Sequence, residues 1–168
     1  KTESSSTKTG NQYGCFNWAG YYGDMDDLVR GKRGNQSVIE MVNYIKDRYP
    51  VNNNKVFVTG LSAGAAMANV MLATWPDVFA AGAPMAGIPF YCANSVDSAY
   101  GCMGINSSFQ PRKGGAECEG SLVDAEACMD PALKKTAQQW GDMVRTKGFP
   151  AGYTGRSEER RVGQECRS

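Results

Sequence analysis

The residues with the clearest chemical potential form a G-x-S-x-G pentapeptide, Gly60-Leu61-Ser62-Ala63-Gly64. On a sharp turn between a strand and a helix, such a serine lifts its hydroxyl above the sheet, where the oxygen can attack a carbonyl carbon. The glycines let neighbouring backbone pass close to the turn. The backbone N–H of Ala63 would then point at the oxyanion that develops during the attack. The alternative is a glycine-rich turn in which Ser62 only caps the following helix.

The segments on either side of the pentapeptide are those that a nucleophile turn requires. Residues 55–59 are β-branched and aromatic and predict a buried strand. Residues 65–74 are small and apolar and predict a buried helix, which Trp75-Pro76 ends. A strand, a G-x-S-x-G turn and a helix in this order favour the catalytic interpretation of Ser62 over the capping one.

Further helices and strands are predicted around this unit. Ser37 and Glu40 form a capping-box pattern and, with apolar residues at helical spacing, predict a helix over residues 37–49. A second strand is predicted around residues 79–85. The order helix, strand, helix, strand with short links predicts the α/β fold class with a parallel sheet.

The second half of the chain is less regular. Residues 88–130 contain four cysteines and little periodicity, so we expect a long excursion held by disulfides. A final helix is predicted over residues 132–147, with Asp130 as its cap and Pro131 at its first position. Near the start, a dense aromatic patch predicts either a loop packed over the core or part of a substrate-binding rim, and it consists of Phe16, Trp18, Tyr21 and Tyr22.

The chain contains no histidine. A serine hydroxyl is a poor nucleophile unless a base takes its proton, and in hydrolases with this turn the base is a histidine that a carboxylate orients. In those enzymes both partners follow the serine along the chain. We therefore expect either that the chain is incomplete or that it is not a working hydrolase.

The composition is that of a globular domain, with 42% apolar and 21% charged residues in a chain of 168. The net charge of +1 gives no reason to expect nucleic acid or an anionic membrane as partner, and no apolar run is long enough to span a bilayer. Six cysteines without a C-x-x-C pair argue against a zinc site and for disulfides in an oxidising compartment. Asn35-Gln36-Ser37 and Asn106-Ser107-Ser108 are candidate glycosylation sites.

Several ordered blocks of the chain resemble the polyhydroxybutyrate depolymerase-like esterases, a group that includes secreted acetylxylan and feruloyl esterases of carbohydrate esterase family one. The resemblance covers roughly residues 13–155 and is interrupted at 90–127, which looks like an insertion. The blocks that carry it are Cys15-Phe16-Asn17-Trp18, residues 56–64, residues 75–87, Cys128-Met129-Asp130-Pro131 and residues 139–145.

The resemblance implies an α/β-hydrolase fold and a secreted serine esterase. It assigns Ser62 as the nucleophile and Ala63 as an oxyanion-hole donor through its backbone N–H. Gly60 and Gly64 are assigned as the glycines of the nucleophile elbow, which is the sharp turn between strand and helix that carries the serine. Acetyl or feruloyl esters on plant cell-wall xylan are the implied substrates, with poly(3-hydroxyalkanoate) as the alternative polymer. No metal ion, organic cofactor, nucleic-acid partner or membrane partner is implied, and no particular oligomeric state is predicted. A rival of another class is a non-catalytic, hydrolase-like protein that binds carbohydrate.

The chain also departs from the family pattern. In the family, a His-Gly-Cys-like loop before this segment supplies the second oxyanion donor, and the catalytic acid and histidine follow the helix of Trp140. Counterparts of these residues are absent from this sequence. Residues 1–155 are therefore interpreted as a part of one catalytic domain, inactive as given. Residues 156–168 lack an apolar period and resemble the conceptual translation of a sequencing adapter, so we expect a non-native, solvated tail.

Overall fold

The structure is a computed structural model, and it describes residues 14–20, 25–104 and 133–153. Within these ranges the elements in chain order are α1 (Arg33–Lys46), β1 (Phe57–Leu61), α2 (Ala63–Thr74), β2 (Ala81–Met85), α3 (Val96–Cys102) and α4 (Ala137–Met143). Short 3-10 turns lie at Met25–Leu28 and Asn53–Lys55, and a π-helical turn at Val144–Gly148 continues α4.

The two strands are parallel neighbours, paired from Phe57 with Ala81 to Leu61 with Met85. Because α2 connects them, β1, α2 and β2 form a strand–helix–strand unit, as parallel pairing requires. The predicted α/β class is therefore confirmed in its coarse form, as two parallel strands with flanking helices.

The strand boundaries differ slightly from those predicted. β1 begins at Phe57 rather than at Lys55, because residues Asn53–Lys55 form a 3-10 turn that the side chain of Asn52 caps. The strand then continues to Leu61 and enters the pentapeptide directly. As a result, Ser62 follows the last residue of β1 without a loop.

The core is built around α2, which has eight buried residues among its twelve. Because the helix is apolar on most sides, other parts of the chain pack against it on most sides. It contacts both strands and the π-helical turn after α4. Residues from four other segments complete the apolar cluster around it, and they are Leu28, Ile39, Trp75, Phe79 and Phe90.

α1 starts and ends earlier than the sequence predicts. It spans Arg33–Lys46, and its N-cap residue, Lys32, makes no side-chain cap. The predicted capping box is wrong, since Ser37 and Glu40 both lie inside the helix. The observed start also carries a contact to a distant residue, which a local pattern does not reveal.

That contact is made by Asn35, whose side chain is 1% exposed and fully hydrogen-bonded. Its Nδ2 donates to the carbonyls of Leu28 and Val29, at 3.3 and 2.7 Å. Its Oδ1 accepts from the N–H of Gly31 and from the indole Nε1–H of Trp75, each at 3.2 Å. The amide thus fixes the turn before α1 and ties it to the end of α2.

The cationic side chain of Arg30 also joins the turn before α1 to the end of α2. The guanidinium of Arg30 lies 3.7 Å from the ring centroid of Trp75 and forms a two-pronged ion pair with Asp77, at 2.5 and 2.8 Å. It also donates to the carbonyl of Thr74 at 2.9 Å. The Arg30 hydrogen bond, more than the opposing effect of burial, lowers the pKa of Asp77.

The excursion at residues 88–130 contains a helix that the sequence does not predict. α3 forms there because the side chains of Ser95 and Ser98 complete a capping box at its start. A disulfide joins Cys92 to Cys102, in agreement with the expectation that disulfides hold this part of the chain. The other two cysteines of the excursion lie outside the described residues.

The final helix is shorter than the predicted span of 132–147. α4 begins after Thr136, which forms a capping box with Gln139, and it runs only to Met143 before the π-helical turn. The predicted cap, Asp130, lies outside the described residues, as does the predicted tail at 156–168.

One face of the described sheet is open. Phe57, Leu61 and Met85 are 64%, 67% and 54% exposed, whereas Val58 points the other way and packs against the core. Among the described residues, none of the helices is both long and apolar enough to cross a membrane.

Candidate active site

Ser62 occupies the junction of β1 and α2 in a conformation that a non-glycine residue rarely adopts. Its φ is 55° and its ψ is −120°, outside the regions that sterics favour for residues with a Cβ. Such strain persists only where the surrounding structure holds it in place. The position is the N-cap of α2, yet the Ser62 side chain makes no capping hydrogen bond. Ser62 is an exposed residue.

Backbone hydrogen bonds hold the turn on both sides. The N–H of Ser62 donates to the carbonyl of Met85 in β2 at 3.0 Å. The Ser62 carbonyl accepts from the N–H groups of Ala65 and Ala66, at 2.9 and 3.0 Å. Ala63 is the first residue of α2, so its N–H has no acceptor inside the helix and is oriented along the helix axis.

The two predicted elbow glycines differ in what they do. A Cβ added to Gly60 would lie 2.2 Å from the carbonyl oxygen of Gly64, so this position excludes every side chain. A Cβ added to Gly64 would meet nothing within 4 Å. The turn therefore requires glycine at position 60 for steric reasons, and no such requirement applies at position 64.

Two further residues shape this end of the sheet, and the sequence reasoning missed both. Ala86, directly after β2, has a φ of 53°. A Cβ on its neighbour Gly87 would approach the Cβ of Ala65 to 2.8 Å. The segment after β2 thus lies against the first turn of α2, beside Ser62. The available signal was the glycine at 87, which lies between Pro84 and Pro89.

No base accompanies Ser62 in the described part of the chain. Histidine is absent from the whole sequence. Lys55 precedes β1 and Ser62 follows it, so a strand rising about 3.3 Å per residue places the two roughly 20 Å apart. Among the described residues there is also no cluster of three His, Cys, Asp or Glu side chains that could hold a metal ion.

In the described part of the chain, the aromatic loop at residues 16–18 packs on the core, and Asp26 after it makes polar contacts with other segments. Phe16 and Trp18 are partly buried against the core, which agrees with the packed-loop interpretation, and Tyr21 and Tyr22 lie outside the described residues. Asp26 accepts a hydrogen bond from the Tyr91 hydroxyl at 2.7 Å and lies 3.5 Å from the Lys147 ammonium group. These two groups, the hydroxyl first, lower the pKa of Asp26.

A parallel strand–helix–strand unit, with a strained and exposed serine where the first strand meets the helix, defines an α/β protein with a candidate nucleophile elbow. Comparison with known families makes the assignment narrower. The chain belongs to the esterase PHB depolymerase family, whose model matches residues 3–125.

Curated relatives include both polyester and plant-wall esterases. Poly(3-hydroxyalkanoate) depolymerase C of Paucimonas lemoignei is 37% identical over 145 residues, which is 86% of this chain and 27% of the relative. Feruloyl esterase B of Thermothelomyces thermophilus is 36% identical over 132 residues, which is 78% of this chain and 38% of the relative. Acetylxylan esterase of Coprinopsis cinerea is 36% identical over 119 residues, which is 70% of this chain and 25% of the relative. The chain therefore spans between 25% and 38% of the length of these relatives.

Proposed function

We propose that the chain carries the nucleophile of a serine esterase with the α/β-hydrolase fold, and that this nucleophile is Ser62. The observation that carries the proposal is the backbone of Ser62, strained at a φ of 55° between β1 and α2. A serine that only capped the helix would need neither this conformation nor the steric exclusion at Gly60. Membership of an esterase family gives the same assignment independent support.

In the proposed reaction, the Ser62 oxygen attacks the carbonyl carbon of an ester while its proton passes to a histidine. Because this sequence has no histidine, that base must come from residues outside it. The N–H of Ala63 donates to the oxyanion of the tetrahedral intermediate. The alcohol leaves with the proton, and an acyl group remains on Ser62. Water then hydrolyses the acyl-enzyme and restores the hydroxyl, so no metal ion or organic cofactor enters the mechanism.

Acetyl or feruloyl esters on plant cell-wall xylan are the favoured substrates, and a poly(3-hydroxyalkanoate) is the alternative. The relatives' names support both, since they include acetylxylan esterase, feruloyl esterase B and a poly(3-hydroxyalkanoate) depolymerase. An extracellular location follows from such insoluble polymeric substrates, and the Cys92–Cys102 disulfide supports it.

A second candidate is a non-catalytic, hydrolase-like protein that binds carbohydrate, and the absence of histidine favours it. The surface expected for that role is the aromatic loop. However, Phe16 and Trp18 pack against the core rather than forming an open platform. The backbone strain at Ser62 would also have no functional role in a protein that only binds carbohydrate.

Covalent labelling tests the proposal directly. The protein used is a full-length esterase of this family that carries residues 14–153 as they stand in this sequence. A fluorophosphonate should label it on Ser62, and Ser62→Ala should abolish the label and lower kcat by several orders of magnitude. Ser95→Ala, which removes a hydroxyl from the cap of α3, is the matched control and should retain labelling. Label that persists in Ser62→Ala would refute the assignment.

A further inference from the structure

Asn17 is a buried polar side chain for which the described residues supply no hydrogen-bond partner. It is 1% exposed, and neither its Oδ1 nor its Nδ2 is bonded in the described part of the chain. The other two buried polar side chains of the core behave differently. Asn35 has four hydrogen bonds, and the Thr74 hydroxyl donates to the carbonyl of Val70 at 2.7 Å.

The contrast is informative because buried amides in folded proteins are almost always satisfied. An amide with both its donor and its acceptor unpaired is costly, and an apolar side chain of the same shape would be preferred in its place. Asn17 therefore indicates a partner that accepts from Nδ2 and donates to Oδ1. A single peptide unit or an internal water molecule has this chemistry.

The loop that carries Asn17 packs between the first turns of α1 and α2. A Cβ added to Gly34, at the start of α1, would lie 2.7 Å from the Asn17 backbone nitrogen. On the other side, Ala19 is fully buried in an apolar cluster that includes Ala66 and Ile88. Ala66 belongs to the first turn of α2, and its N–H bonds the carbonyl of Ser62.

We propose that Asn17 is a positioning residue: its carboxamide binds one donor–acceptor group, a peptide unit or an internal water, and thereby fixes the loop that packs on the first turn of α2 beside Ser62. This inference rests on the proposed function of Ser62 for its effect on catalysis. The hydrogen-bonding part of the inference stands independently of it.

The stability arm uses the full-length esterase described above, in a Ser62→Ala background, so that catalysis does not enter. Asn17→Leu keeps the size of the side chain and removes both polar atoms. It should lower the melting temperature by several degrees, because the partner group loses its bonds. Asn43→Leu, at an exposed position of α1, is the matched control and should change little. A melting temperature that is unchanged or raised by Asn17→Leu would overturn the inference.

The catalytic arm uses the same substitutions with Ser62 intact. Asn17→Leu should slow fluorophosphonate labelling of Ser62 and lower kcat by about 10- to 100-fold, with KM nearly unchanged, since a small displacement of the nucleophile affects the reacting geometry most. Lower stability with unchanged labelling would mean a structural role only and would overturn the positioning role. Absence of label in the unsubstituted esterase would instead refute the function of Ser62.

Two further measurements complete the test. If Asn17→Leu does not fold, Asn17→Asp keeps the shape and removes the donor, and it should slow labelling while near-UV circular dichroism is retained. A crystal structure of the unsubstituted esterase should place one group within hydrogen-bond distance of both Oδ1 and Nδ2. A peptide unit or a water oxygen there identifies the source, and an empty contact would contradict the inference.

Discussion

At the scale of single residues, the turn around Ser62 combines backbone strain with steric exclusion. The φ of 55° at Ser62 lies outside the conformations that residues with a Cβ favour, and the hydrogen bond from the Ser62 N–H to the Met85 carbonyl holds the turn. Gly60 allows the backbone of Gly64 to approach so closely that no Cβ fits between them. The exposed position of Ser62 is thus a consequence of local packing rather than of the serine alone.

The two glycines of the pentapeptide give a matched pair of substitutions. Gly60→Ala should destabilise the full-length esterase by about 3 kcal/mol, because the new Cβ would overlap the Gly64 carbonyl and the turn must shift. Gly64→Ala should leave stability unchanged or raise it by up to about 1 kcal/mol, since the site is open and alanine favours the helix. Denaturant unfolding measures both, and equal effects would contradict the steric argument.

A second prediction at this scale concerns glycosylation. The sequence marks Asn35-Gln36-Ser37 as a candidate site, but the Asn35 amide is buried and all four of its hydrogen-bonding positions are used. A glycan replaces one of the two N–H donors of Nδ2, so it would remove one of these bonds, and it would not fit the core. We expect peptide mapping by mass spectrometry to find Asn35 unmodified in folded protein secreted by a eukaryotic host.

The control for this prediction is Ser37→Ala, which removes the glycosylation signal without touching the amide. Its secretion yield and its mass at this peptide should match those of the unsubstituted protein, apart from the lost oxygen. A glycan found on Asn35 in folded material would show that the buried position is wrong. The second candidate, at Asn106, lies outside the described residues.

At the scale of helices and strands, the sequence predicts what local patterns control. The apolar run after Ser62 and its stop at Trp75 are local, so α2 is predicted almost to the residue. β2 ends where the sequence predicts but begins two residues later, and the parallel order of the strands is as predicted. The start of α1 is not wholly local, because the Asn35 side chain bonds Trp75, forty positions away, as well as the preceding turn.

The same distinction applies to the candidate site. Ser62, Ala63 and Gly60 are found from the pentapeptide and its flanking segments. Ala86 is not, because its positive φ arises from the way the end of β2 packs on α2. Asn17 is also inaccessible to pattern reasoning, since only a folded structure shows that its amide is buried without a described partner.

The junction of α1 and α2 gives a pH-dependent prediction. Arg30 lowers the pKa of Asp77, so the ion pair stabilises the fold above the unfolded pKa of about 3.9. That contribution is lost as the pH falls through the lower, folded value. We therefore expect Asp77→Asn to lower the melting temperature of the full-length esterase at pH 7 and to have less effect below pH ~4.

The size of this effect should be modest, because the Asp77 side chain is 43% exposed and solvent screens the pair. Asp47→Asn, at the exposed end of α1, is the control for the change of charge and should shift the melting temperature little at either pH. An Asp77→Asn effect that grows on acidification would contradict the assigned direction.

At the scale of the whole molecule, the described unit is a parallel strand–helix–strand unit with a candidate nucleophile elbow, in a sequence that contains no histidine. One sheet face is open at Phe57, Leu61 and Met85, and the chain spans between 25% and 38% of the length of the relatives compared above. In the proposed enzyme, a histidine base, its carboxylate partner and a second oxyanion donor must be added to what these residues provide. Activity measurements on the 168-residue chain therefore show how much ester hydrolysis the candidate elbow supports by itself.

We expect the 168-residue chain to be inactive on esters. Without a base, Ser62 must lose its proton to water, and loss of triad function costs on the order of 10⁶ in rate in a well-studied serine hydrolase. One missing oxyanion donor costs about a further 10² to 10³. Lys55 cannot replace histidine, because a rise of about 3.3 Å per residue along β1 puts it roughly 20 Å from Ser62.

The measurement is hydrolysis of 4-nitrophenyl acetate and of acetylated xylan by the purified chain, with Ser62→Ala as the control for background. Equal rates in the two proteins are expected, because the serine without a base adds nothing measurable. Turnover well above the control would contradict the prediction and would require a base other than histidine within these residues. Restoring activity by supplying the rest of a family esterase, with Ser62 intact, would locate the missing groups outside this sequence.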